Sequence, residues 1–320
     1  MRHRRDYIVI VIATVLLVAA FPVARGLCGT AASYLHHLSN FEGKVPYMQP
    51  IVRIDNANAE VYVISGDGVR IFNSAGMEIY DASGREGGVG QNSDIAVDET
   101  GSIYHLRSGY DPLAAKPRFS FSRCNYKLET VEPIPLKDLP RELARFNPSR
   151  LVYRNGLFYF GDLSAMLIIV TDREGRFRTS YDLVELAGFA DQRQDAGIND
   201  YFVDRDGTVL FTSPVAGKAY RVVPGGAVEV FGKRGSAPGR FGVPTSIVAD
   251  ARGNYLVADI LRSVVIVFDR EFRYITEFGY RGSRPDNMIG PTHLAIDEKN
   301  RLYVSQLAKR GVSVYQITAD

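Results

Sequence analysis

Any chemistry in this chain would rest on a few ionisable residues that share one recurring position. Asp94, Arg150, Asp200 and His293 each begin a copy of a repeated strand, and Ile51 and Ser246 hold the same place in the two other copies. Two carboxylates and an imidazole brought together could serve as general acid and base in a hydrolase or lyase. That reading uses Asp94, Asp200 and His293. The same positions, with Asn92, Asn147 and Asn199 close by, could instead bind a small ligand or an anion. Arg150 separates the two aspartates in copy order and argues against a metal. A guanidinium about 6 Å from a divalent cation costs roughly 5 kcal/mol at an effective dielectric near 20. The order Asp-Arg-Asp reads more simply as an ion network closing the opening that these residues surround. The ligand-binding set is therefore Asp94, Arg150, Asp200, Ser246 and His293, with no catalytic residue and no metal assigned.

Other chemistries find little support. The chain has two Cys and five His, too few for a disulfide scaffold or most Cys/His zinc arrays. Cys124 reads as a free core thiol, and Cys28 stands 96 residues before it. His36-His37 reads as a surface pair. Asp204-Arg-Asp206-Gly207 resembles a fragment of a calcium loop but lacks the later Glu and sits where every repeat turns. Gly84 to Gly90 carries glycines without a strand-to-helix context, and no Gly-x-Ser-x-Gly occurs. A net charge of +2 is no footprint for nucleic acid.

The elements that must position these residues come from a repeat. Short runs rich in Val, Ile, Tyr and Phe alternate with turns at Asn58, Gly101, Gly156, Gly207, Gly253 and Asn300. Anchors at Asp55, Asp98, Tyr153, Asp204, Asp250 and Asp297 are spaced by 43, 55, 51, 46 and 47 residues. Periods of about 40–50 residues with four short strands each mean propeller blades. The fold expected is all-β: a six-bladed propeller of four-stranded antiparallel blades over residues 49–320. The last repeat runs out after Val312–Ile317, too early for a fourth strand. Residues 26–48 contain a spare segment, Ser33–Phe41, and are expected to supply that outer strand and remove an open edge. Residues 107–118 read as an enlarged loop. Residues 136–146 and 182–196 read as short helices.

Blades five and six resemble NHL-repeat propellers of the membrane-anchored bacterial type. The likeness rests on Phe231-Gly-Lys-Arg-Gly-Ser-Ala-Pro-Gly-Arg-Phe-Gly-Val-Pro244, on Asp250-Ala-Arg-Gly-Asn-Tyr-Leu-Val-Ala-Asp259 and on Phe268-Asp269. Related gluconolactonase-like propellers bind calcium in the channel through Glu, Asn and Asp, so the resemblance offers calcium as the alternative to no cofactor. No matching Glu is found here. Amidating propeller lyases gather several His around zinc, whereas only His105 and His293 fall within this ring.

The N-terminus reads as an address. Residues 1–6 form a basic tail, and 7–25 a signal-anchor whose Ile8–Ala24 stretch is free of charge and spans roughly 26 Å of a roughly 30 Å hydrocarbon core. Arg2, Arg4 and Arg5 precede it and Arg25 follows, which sets the N-terminus in the cytoplasm and the propeller outside. Val18-Ala19-Ala20 offers a signal-peptidase site as the alternative fate. The expected product is a single-pass protein of the cytoplasmic membrane. It would act as a non-catalytic platform for an envelope protein or extracellular ligand, with a channel-mouth hydrolase or lyase as the competing class.

Overall fold

The computed structural model describes residues 30–319 apart from 41, 46, 67, 83–92, 112–115, 193–196 and 308–310. The expected anchor, Cys28, Asn92 and the Gly84–Gly90 run therefore lie outside the described residues. Among the described residues no helix is long and apolar enough to cross a membrane. Six four-stranded antiparallel sheets follow one another along the chain. Each is a blade whose first strand lies innermost: Ile51–Asp55, Ser93–Val97, Arg150–Arg154, Tyr201–Val203, Pro244–Ala249 and Pro291–Ile296. The chain is a six-bladed β-propeller.

Local chemistry sets the turns. Asp55 ends its strand, and Asp98, Asp250 and Asp297 directly follow theirs, where each carboxylate accepts main-chain N–H from the turn that follows. Such caps satisfy donors that a tight hairpin leaves over. Gly101, Gly207 and Gly253 take the left-handed conformation these turns need, and Asn300 does so in blade six. In blade one the left-handed residue is Ala59 rather than Asn58, whose side chain instead bonds Asp55. In blade three the Tyr153 hydroxyl accepts the N–H of Gly156, doing the work of the missing aspartate.

Buried apolar residues form six clusters, one at each blade junction. Each sheet shows an apolar face to both neighbours, so its strands read as nearly continuous apolar runs such as Val264–Phe268, buried throughout. The ring closes between blades six and one. There Leu38, Tyr47, Val52, Phe72, Tyr303 and Val312 pack together. Blade six takes its outermost strand from Thr30–Leu38, which pairs antiparallel with Val312–Ala319 from Thr30 opposite Ala319 to Leu38 opposite Val312. His36 and His37 lie on that strand and are half-buried, not surface residues. His37 Nδ1 lies 3.0 Å from Ser313 Oγ.

Three local expectations change. Residues 107–111 and 116–118 are strand rather than loop: strands Ile103–Asp111 and Lys116–Cys124 pair as far as Asp111 opposite Lys116. Residues 136–146 hold only a 3-10 turn at Arg141–Leu143. Pro140 interrupts the pattern, and Lys137 is tied by its N–H and carbonyl to Gly175 and Phe177 of blade three. Among the described residues of 182–196 there is one helical turn, Leu183–Leu186, capped by Asp182, and a 3-10 turn at Ala190–Gln192.

Candidate functional site

The inner strands line a central channel, and every second side chain faces it. One end lies where these strands begin. A cavity of about 270 Å³ opens there, bordered by Gln49, Arg150, Asn199, Thr245, Thr292 and His293. At the other end, where the hairpin turns lie, a second cavity of about 140 Å³ is bordered by Arg53, Ile54, Tyr153, Arg154, Phe202 and Ile296. Between the two stands a layer of buried charge.

Asp94 is fully buried. Its Oδ1 accepts from Arg53 Nε at 3.0 Å and its Oδ2 from Arg53 at 2.7 Å, a two-pronged ion pair. Its own strand's Ile95 N–H and, from blade three, the Leu151 N–H supply the remaining bonds, each at 2.8 Å. Asp94 thereby links blades one, two and three. Burial pulls the Arg53 guanidinium down, but Asp94 and Asp200 outweigh it and hold its pKa above the ordinary arginine value. Across the channel, Asp200 Oδ2 lies 2.5 Å from His293 Nδ1, and His293 Nε2 lies 3.2 Å from the Val52 carbonyl. Both ring nitrogens thus face oxygens. Arg150 Nε stands 4.0 Å from Asp200 Oδ1, while its NH1 donates to the Ser149 carbonyl. Burial favours the neutral form of Asp200. His293, Arg53 and Arg150 override that and bring its pKa down to about 2.

Asp200, His293 and Arg150 thus converge, whereas Asp94 pairs with Arg53 rather than Arg150. Ser246 is buried and its Oγ accepts the Leu294 N–H at 3.1 Å, which stitches blade five to blade six without touching the charged residues. Asn147 donates its N–H to Asp162 and leaves its own side-chain oxygen buried without a partner. Asn199 stays exposed at the upper cavity. Arg53 is the residue that counting back from the anchors misses, since that count lands on Ile51. The signal was present: strand alternation turns Ile51, Arg53 and Asp55 the same way, and Arg53 is the charge among them that faces the channel's middle.

These donors do not suit calcium. Asp94 spends both oxygens on Arg53 and main-chain N–H groups, and Asp200 is held by an imidazole with arginines on either side. A divalent cation would have to displace those partners. His105 sits in the second strand of blade two, off the inner strands that carry this layer. It is fully buried, with neither ring nitrogen bonded. Cys124 is buried in the same blade, and burial raises its thiol pKa.

Known structures agree on the architecture. A Bacteroides thetaiotaomicron protein described as an auxiliary nutrient binding protein is 12% identical, with a TM-score of 0.61 over 90% of this chain and 76% of that one. A streptogramin B lyase is 12% identical with a TM-score of 0.57, over 91% of this chain and 98% of that one. A putative gluconolactonase is 12% identical with a TM-score of 0.56, over 91% and 93%. At that identity the likeness carries the fold alone. No family model and no curated protein matches the chain.

Proposed function

We propose that this propeller is a non-catalytic binding platform held at the outer side of the cytoplasmic membrane by residues 7–25. The observation that carries this reading is the closed middle of the channel. Asp94 is bonded through both oxygens to Arg53 and main-chain N–H groups, and Asp200 and His293 are paired with each other, which favours a structural use of these groups over a catalytic one. What the ring offers is rigid faces.

The strand order supports an orientation. Thr30 enters its strand opposite Ala319, at the end of blade six that carries the Asp297–Asn300 turn. An anchor just upstream would set the hairpin-turn face toward the bilayer and the face bearing the longer blade-to-blade connections away from it. On that outward face Val215 and Leu261 occupy equivalent turns of blades four and five and are 61% and 69% exposed, with Tyr280 in the next connection at 56%. Exposed apolar side chains at repeated positions suit an envelope protein as partner.

Site-specific photo-cross-linking in intact cells tests the reading. A photoreactive residue at Leu261 or Val215 should give one discrete protein adduct, and one at Tyr126, an exposed residue on the opposite face, should not. Equal labelling from both faces would overturn the orientation. Turnover of an ester or lactone by the purified chain, abolished by Asp200→Asn, would overturn the platform itself.

A further inference from the structure

The channel mouth on the hairpin-turn side holds a cation that its surroundings leave unused. Along the inner strands, Arg154 falls at the place where the other blades carry Asp55, Asp98, Asp204, Asp250 and Asp297. Asp55, Asp98, Asp250 and Asp297 cap their own turns, whereas Arg154 points over the opening. Its Nε donates to the Val203 carbonyl at 3.2 Å, and its guanidinium carbon stands 6.0 Å from the centre of the Phe202 ring. Among the described residues it makes no other hydrogen bond and no ion pair, so its terminal N–H groups remain free. Burial pulls its pKa down, and Asp204 and Glu298 act on it only through space.

Arg154 borders three adjoining cavities, of about 140, 50 and 450 Å³. The first reaches down the channel between Ile54, Val97, Val152 and Ile296 to a floor made by Arg53 and Asp200. At about 10–15 Å³ per water this space holds roughly ten waters, or one ligand of similar heavy-atom count. Ile54, Val97, Phe202 and Ile296 set apolar patches into a wall that also carries polar groups such as Asn56 and Tyr153, and its mouth carries a guanidinium fork, the geometry that receives a carboxylate in a bidentate bond. Glu298 and Asp204 at the rim disfavour a second negative charge.

We propose that this cavity binds a small monocarboxylate with an apolar body, its carboxylate on Arg154 and its body against Ile54, Val97, Phe202 and Ile296. The site is separate from the outward face and holds whether or not that face takes a protein partner.

Benzoate and its uncharged isostere benzamide are suitable probes, titrated into the full chain in neutral detergent and followed by ligand-observed NMR. Benzoate should bind in the millimolar range and benzamide about tenfold more weakly or worse, since a charge-assisted bidentate bond is lost. Arg154→Gln should reduce benzoate to the benzamide level with its melting temperature unchanged. Arg123→Gln, on the outer part of blade two and paired with Glu132, should leave benzoate binding intact. No benzoate binding up to about 50 mM, equal binding of the two probes, or full benzoate binding by Arg154→Gln would each overturn the assignment. Should Arg154→Gln fail to fold, the benzoate-to-benzamide ratio on the natural chain decides alone.

Discussion

Replacing His105 with leucine should remove one step of acid destabilisation from the ring. The imidazole is fully buried in the second strand of blade two. It is opposite Ile95 on one side and Ser122 on the other, and neither nitrogen finds a partner. Burial, helped by the nearby Arg107 charge, pulls its pKa from 6.5 down to about 3. The folded state therefore refuses a proton that the unfolded chain accepts. Stability is at its full value above pH 6.5 and falls as pH drops, by about 1.4 kcal/mol per unit, until the folded pKa is reached. Between pH 7.5 and 5.0 this one group costs about 2 kcal/mol. A folded pKa one unit higher would change that figure little, because pH 5.0 lies above both values. Leucine fills similar space without a nitrogen. Urea unfolding followed by far-UV circular dichroism at the two pH values gives the test. Other groups, such as Glu78, whose pKa burial raises, titrate alike in both proteins and cancel in the comparison. The variant should lose about 2 kcal/mol less than the natural chain over this interval. Equal losses would refute the reasoning and mean that His105 is solvated or paired.

Asp94→Asn should leave Arg53 charged and buried without its counterion, a loss of about 3–5 kcal/mol in urea unfolding, and adding Arg53→Met should restore most of it. Gly161→Ala would push a methyl group into the ring of Tyr201, whose hydroxyl is fixed to the Tyr159 carbonyl at 2.7 Å. The expected cost is about 1–3 kcal/mol, read as a lowered melting temperature. Leu38→Ala empties a fully buried place in the closure between blades six and one and should cost about 2–5 kcal/mol. A loss near zero there would mean that the first strand packs loosely on its blade.

The blades were legible because each strand is buried on both faces and each turn needs a cap and a left-handed residue. Those demands write Val/Ile/Tyr/Phe runs and Asp-x-x-Gly phrases directly into the sequence. Blade three hid its equivalents. Tyr153 caps the turn through its hydroxyl, and Arg154 takes the aspartate's place on the strand, so the anchor reads one residue early. The charged layer was legible only in part. Asp94, Asp200 and His293 stand out by type, but which arginine serves which carboxylate depends on how far a long side chain reaches across the channel. Arg53 reaches Asp94 from the neighbouring blade, forty-one residues away in sequence. The 136–146 segment failed as a helix for a tertiary reason. Its apolar residues Leu136, Leu139 and Leu143 pack on the aromatic cluster between blades two and three while its backbone bonds to blade three.

Elemental analysis of the chain, purified without chelator, bears most directly on a channel closed by protein groups alone. With Asp94 and Asp200 committed to Arg53 and His293, no calcium or zinc should accompany the chain in stoichiometric amount, and a chelator should leave its melting temperature unchanged. About one metal ion per chain, lost together with thermal stability on chelation, would contradict this and return Asp94, Asp200 and His293 to the role of a catalytic centre.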